Sequence, residues 1–473
     1  MDVSLDRRTV AGGVAASLVF LGGAGAQPRP AAPSGGEPAA ERPAPTVLRA
    51  VARGAKLIPD AGDSADLWQF EGETAHPVLR VPLGGEVHAV LENATPAPLS
   101  LHWHGVRGPN GQDGVGGLTQ APVPPGGSHT YRFTPPDPGT FLIRPLVLGG
   151  SSAPAGRGLA ALLVVEEPSP PAVDADLAVL VRDWLLAPGG ALAPFGLREE
   201  AALGGRLGNR VAVDGGDAPK RVALPSGSRV RLRLANACNA RSMRIRFDGL
   251  KVYVAAVDGQ PTDTFEPLRA TLPFAPGSRY DLLFDVPAEP DGKGAVVALI
   301  GPGMPLVEVT ASSGPAAPSR PPIAALPPNR LLPPEVKLQN ALRRTVAIAG
   351  GATRSSTGAL AFPPGGAPIW TVNGAPGSAA SPPLLSARRG QPVVLGITNA
   401  TAFVQALHLH GHVFRLLHPL DDGWEPYWLD TVQVPEGRTV QIAFLADNPG
   451  RWLLGSTVLE RLDAGLWTWL EVT

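Results

Sequence analysis

The chain repeats one alternation of apolar and polar positions three times. Gly84 is followed by Val87, Ala89 and Leu91, then by Asn93 and Ala94. Gly227 is followed by Val230, Leu232 and Leu234, then by Asn236 and Ala237. Gly390 is followed by Val393, Leu395 and Ile397, then by Asn399 and Ala400. Apolar side chains at every second position put one face of each strand into a core. The Asn-Ala pair ends each strand at a turn. A second alternation follows each copy. Gly126 leads to Tyr131 and Phe133, Gly277 to Tyr280, Leu282 and Phe284, and Gly437 to Val440, Ile442 and Phe444. Two strand signatures in one order, three times over, predict three homologous β-domains. VQALHLHGHVFRLLH and WLDTVQV add further strands, and no stretch carries a sustained helical period.

The expected domains are 46–167, 170–312 and 340–473. Each is long enough for a Greek-key sandwich or barrel, so the predicted fold class is all-β. A Pro-rich connector at 313–339 reads as an extended strap. The 473 residues are too many for one core. The 57 glycines and 54 prolines favour turn-rich β structure over long helices. With 40 basic and 41 acidic side chains there is no basic excess to attract a nucleic acid. The one cysteine, Cys238, excludes an intramolecular disulfide and reads as a buried small side chain.

The first residues predict export. Arg7 and Arg8 precede a mildly apolar stretch, Val14 to Gly25, that is too short and Gly-rich to span a bilayer stably. Ala24, Gly25 and Ala26 offer small residues for cleavage before Gln27. The arginine pair reads as a twin-arginine signal over 1–26, with the twin-arginine translocase as partner during export and the periplasm as destination. The rival reading is an amphipathic anchor. Residues 27–45 read as a disordered linker. No later segment is apolar enough to span a membrane, so the mature chain is expected to be soluble.

Four of the nine histidines fall in two alternating pairs. His102 and His104 sit in SLHWHGVRGPNGQDG, and His408 and His410 in QALHLHGHVF, with His412 beyond. In a strand, positions i and i+2 point the same way, so each pair presents two imidazoles on one face. Two such pairs facing each other suit copper or zinc. They equally suit packed, hydrogen-bonded histidines at a domain interface.

The chain resembles the three-domain multicopper oxidases, the laccase-like cupredoxin family. The resemblance covers essentially the whole mature chain. It rests on HWHG at 102–105, DG at 113–114, TQAP at 119–122, GTF at 139–141, VDGQP at 257–261, HLHGH at 408–412, ADNPGRW at 446–452 and LLGSTVLERLDAG at 453–465. It implies three cupredoxin-like domains, one type 1 copper that takes electrons and a three-copper cluster that reduces dioxygen. On the matching positions, His102 and His408 would be the type 2 ligands, and His104 and His410 would serve one type 3 copper each. The second histidine segment reads Arg144, Pro145, Leu146 here, so both its ligands are replaced. Gln405, Ser456, Arg461 and Leu466 stand at the four type 1 positions. Gly455 and Thr457 replace two more histidines. A blue copper site needs a thiolate and two histidines, and Cys238 lies in the domain that carries no ligands in the family. Laccase-type oxidation is therefore not expected.

Two acids match the family's proton-relay positions, Asp113 and Glu460. Either they are a residual proton path, or Asp113 holds a tight turn and Glu460 pairs with Arg461. For the whole protein, three roles follow from the resemblance. One is a single type 2-like copper held by His102, His104, His408 and His410. Another is a metal-free periplasmic scaffold with a protein partner, like the copper-free member that supports bacterial cell division. The third is an oxidoreductase with a type 2 copper alone.

Overall fold

The computed structural model describes residues 44–58, 62–72, 74, 76–354, 358–417, 423 and 425–473. The export segment 1–26 and the linker 27–45 lie outside the described residues, positions 44 and 45 apart. The architecture is all-β, as expected, with three short α-helices among the described residues at Ser152–Gly156, Arg198–Ala202 and Leu459–Asp463. No helix among the described residues is long and apolar enough to cross a membrane.

The repeat in the sequence is a repeat in three dimensions. Strands Val87–Ala94, Arg229–Asn236 and Gln391–Asn399 carry the three copies of the first signature. Each pairs in parallel with the strand that opens its domain: Thr46–Ala55, Ala175–Trp184 and Leu342–Gly350. Each pairs antiparallel with a strand of the second signature, and the register is the same each time. Val87 faces Phe133, Val230 faces Phe284 and Val393 faces Phe444. Three cores result, each drawing side chains from both sheets of its domain.

The asparagine that closes each first-signature strand does more than end it. The Asn93 side chain donates to the carbonyls of Ala97 and Val123 at 2.8 and 2.9 Å and accepts the Thr95 N–H at 3.0 Å. Asn236 binds Arg241, Phe274 and Cys238 in the same way, and Asn399 binds Phe403, Val434 and Thr401. All three asparagines are buried, where an unpaired loop carbonyl would be costly. Cys238 is buried in the middle core.

No strand or helix lies between Ser312 and Leu342. This connector is pinned by Arg320 on Asp174, by Arg229 on the Pro321 carbonyl, and by Asn329 on Asp137 and Gln260.

Candidate functional site

Strand alternation builds the site. In Leu101–His104, Trp103 points into the first core and packs edge-on against Tyr131 and Phe133. His102 and His104 therefore project from the opposite face. In Gln405–Leu409, Leu407 and Leu409 enter the third core, which turns His408 outward, and His410 follows just past the strand end. The two outward faces meet, and the four imidazoles form a cluster sealed from solvent.

The rings pair across the domain boundary. His102 stacks on His410 with centroids 3.9 Å apart, and His104 stacks on His408 at 3.6 Å. His102 Nδ1 lies 2.8 Å from the main-chain oxygen of Asp113, and His408 Nδ1 lies 2.9 Å from that of Asp430. A carbonyl only accepts, so both Nδ1 atoms carry the proton and both Nε2 atoms present a lone pair. Those two Nε2 atoms are buried and have no hydrogen-bond partner. Ligand atoms of His102, His408 and His410 all lie within 4.8 Å of one another, as do those of His104, His408 and Asp430. Burial keeps His104 and His408 below the ordinary histidine pKa and takes His410 down to about 3. Clustered imidazoles, two of them held at Nδ1 by a carbonyl with Nε2 left unpartnered, fit a nitrogen-ligated metal ion.

Asp113 sits inside this arrangement. Its N–H closes a one-turn helix over Asn110–Gln112, so it does hold a turn. Its carboxylate, however, is 3.3 Å from His102 Nδ1 and 3.0 Å from His410 Nδ1. Burial would raise this carboxyl, but the two imidazoles, His410 first, hold it well below its usual value. Glu460 is elsewhere, and it does not pair with Arg461. Its oxygens accept from Asn239 Nδ2 at 2.7 Å and from the Arg206 N–H at 3.1 Å. Arg461 instead donates to Gln405 Oε1 and to the Val404 carbonyl, both at 2.8 Å, and to the Leu203 carbonyl at 3.0 Å. Gln405 in turn donates to Thr401 Oγ1 at 2.9 Å.

Three residues of the site were not singled out from the sequence: Asp430, Arg279 and Asp258. Arg279, fully buried in the middle domain, pairs with Asp430 and lies 3.9 Å from Asp258. Burial would raise the Asp430 carboxyl, but Arg279 and then His408 hold it well below its usual value. Gly105 leaves room for the buried ion pair, because a Cβ there would strike both the Arg279 guanidinium and the Asp430 carboxylate. Asp258 is pushed up to about 7, by burial first and by Asp430 second.

Arg144 is the remaining charge. It faces His102 across neighbouring strands, which places both side chains on one side of the sheet. It is buried, one nitrogen reaches the Thr457 carbonyl at 3.4 Å, and its Nε has no partner. Burial lowers its pKa to about 10. Its positive charge also contributes to the low pKa of His104, after burial and His408.

Residues 52–170, 199–305 and 352–473 each match a family described as multicopper oxidase. The chain is 28% identical over 418 residues to the multicopper oxidase MmcO of Mycobacterium tuberculosis, covering 80% of this chain and 77% of that protein. Its fold is similar to the solved multi-copper oxidase of Pseudomonas thermotolerans, with a TM-score of 0.79 and 28% identity over 91% of this chain and 99% of that one. It is also similar to Lac15 from a marine microbial metagenome, with a TM-score of 0.71 and 31% identity over 91% of this chain and all of that one.

Proposed function

This chain belongs to the multicopper oxidase family, and we propose that it holds one metal ion at its interdomain histidines and does not carry out four-copper oxidation. The observation behind this is the pair of buried, unpartnered Nε2 atoms on His102 and His408, each fixed by a carbonyl at its other nitrogen. His410 completes the donor set. Copper(II) should win over zinc at such nitrogens, by the usual affinity order. A bound ion there would supply Lewis acidity or one-electron chemistry. The chain's own residues orient it: Asp113 and Asp430 set the tautomers and balance charge.

We read the type 1 position as lost. The residues matching its ligands satisfy one another without a metal, since Arg461 bonds Gln405 and stacks between Trp370 and Phe403 at 5.1 Å from each ring. Ser456 Oγ accepts the Val458 N–H, and Leu466 is buried. The second histidine segment is read as lost too, with Arg144 in its place.

Elemental analysis of the copper-loaded full chain, with spin resonance on the same sample, tests this. About one copper per chain with a type 2 spectrum is expected, and His102→Ala with His408→Ala should abolish it. An unchanged copper content in that double variant would overturn the reading.

A second reading has Arg144 in its favour. A buried guanidinium beside His102 opposes a dication and supplies positive charge of its own. On this reading the protein is a metal-free periplasmic scaffold, exported by the segment at 1–26, and its function lies with a protein partner. Absence of bound copper and of any thermal shift on adding it would favour this reading. Cell fractionation tests the location, and recovery in the cytoplasm would count against it.

A further inference from the structure

Between the second and third domains lies a cavity of about 560 Å³. That suits a small organic ligand, whose sites typically measure about 300–1,000 Å³. Its walls are largely apolar, with Leu272, Leu416 and Val432 facing it. Phe265 and Tyr427 also line it, their rings stacked at 5.7 Å between centroids. Two exposed guanidinium groups, Arg244 and Arg269, border it. Arg244 donates to Thr271 Oγ1 at 2.7 Å, and neither arginine has a carboxylate partner among the described residues. Two carboxylates stand at the cavity, Asp258 in its lining and Glu425 hydrogen-bonded to Tyr427, and each has partners there. Glu266 pairs with Lys251 at 3.1 Å. Asp258 accepts the N–H groups of Arg279, Asp430 and Thr431.

The border itself is unusual. Arg269 and Ala270 both adopt left-handed backbone, with φ of 53° and 50°. Non-glycine residues seldom do so, and the conformation persists where surroundings enforce it, often beside a ligand site. It carries Leu268, 82% exposed, to the same rim. An apolar lip, an aromatic wall and two cations with no carboxylate partner among the described residues therefore converge on one opening.

We propose that this cavity binds a small aromatic carboxylate, its ring against the Phe265–Tyr427 wall and its charge on Arg244 and Arg269. Aromatic stacking and charge-assisted hydrogen bonds supply the recognition. The site abuts the histidine cluster through Thr431, whose Oγ1 lies 3.3 Å from His104 Nε2, but shares no histidine with it.

Titration calorimetry of the full chain with cinnamate and with cinnamyl alcohol tests this. Cinnamate should bind with a Kd below about 1 mM, and the uncharged alcohol about tenfold more weakly. Arg244→Leu with Arg269→Leu should reduce cinnamate to the affinity of the alcohol. Both side chains are exposed, so the fold should hold, and an unchanged melting temperature would show that it does. Tyr427→Ala should weaken both ligands. His102→Ala with His408→Ala should leave cinnamate binding intact, which separates this site from the metal. No saturable binding of cinnamate, or equal binding by the arginine double variant, would overturn the proposal.

Discussion

Asp113 and Asp430 hold equivalent posts on opposite sides of the histidine cluster. Each accepts an Nδ1 proton at its main-chain oxygen, from His102 in one case and His408 in the other. Each turns its carboxylate towards the ring stacked on that histidine, 3.0 Å from His410 Nδ1 and 3.7 Å from His104 Nε2. Exchanging the first and third domains exchanges the residues of one set for those of the other, with Nε2 of His104 in the place of Nδ1 of His410. The symmetry breaks at the middle domain, where Arg279 clamps Asp430 and no arginine pairs with Asp113 among the described residues.

Asp113→Asn keeps the shape and removes the charge facing His410. Metal affinity should fall about 10–100-fold, the usual cost of losing such an outer partner. Competition against a chromogenic chelator reads this directly. An unchanged affinity would detach Asp113 from the metal.

Acid should destabilise the chain earlier than carboxylates alone would. His104, His408, His410 and His412 are all lowered by burial, His410 to about 3 and His412 to about 4. At these four histidines the unfolded chain therefore binds more protons below about pH 6.5 than the folded one. Stability should decline from there towards pH 4, by up to about 1.4 kcal/mol per pH unit for each histidine. The depressed carboxyls of Asp113 and Asp430 extend the loss at lower pH. Asp258, raised to about 7, works in the opposite sense, since its stabilisation fades as pH rises to 7. Urea unfolding across this range measures the balance, and a gain in stability on acidification would contradict it.

The three buried asparagines should be energetically alike. Replacing Asn93, Asn236 or Asn399 by Ala strands two loop carbonyls and one N–H each time. Each change should cost about 3 kcal/mol, read by denaturant unfolding. A cost below about 1 kcal/mol at any one position would show that water replaces the side chain there.

Arg461 bonds Gln405, which joins two of the positions that we propose once held a type 1 copper. The variant Gln405→His, Ser456→Cys, Arg461→His, loaded with copper, should show an intense thiolate-to-copper band. A colourless variant with an unchanged melting temperature would show that the backbone no longer presents the three groups together.

Much of this was legible in the sequence, because strands repeat every two residues. That period alone separates Trp103 from His102 and His104, and Leu407 from His408. It says nothing about partners far away in the chain. Asp430 reads as one charge at a strand edge, and Arg279, 151 residues distant, as another. Only the packing of the second domain against the third brings them together. Adjacency misled at Glu460 and Arg461. On the Leu459–Asp463 helix, neighbours in sequence point about 100° apart and do not face each other. In the sequence the asparagines read as turn residues because their type favours turns. That they are buried, and tie a loop to the next strand, depends on contacts up to 38 residues away.

Asp113 and His410 touch although 297 residues separate them. A metal at this cluster would act as a clasp, closing a loop that holds nearly two thirds of the chain. A site that only the packed domains assemble holds the ion in the folded chain alone, so the clasp would stabilise the fold by mass action. It also changes what a cut would do. After a protease nick in the strap between residues 313 and 339, such an ion would fasten the two fragments to each other, alongside the Arg279–Asp430 and Arg107–Asp447 ion pairs that already join them.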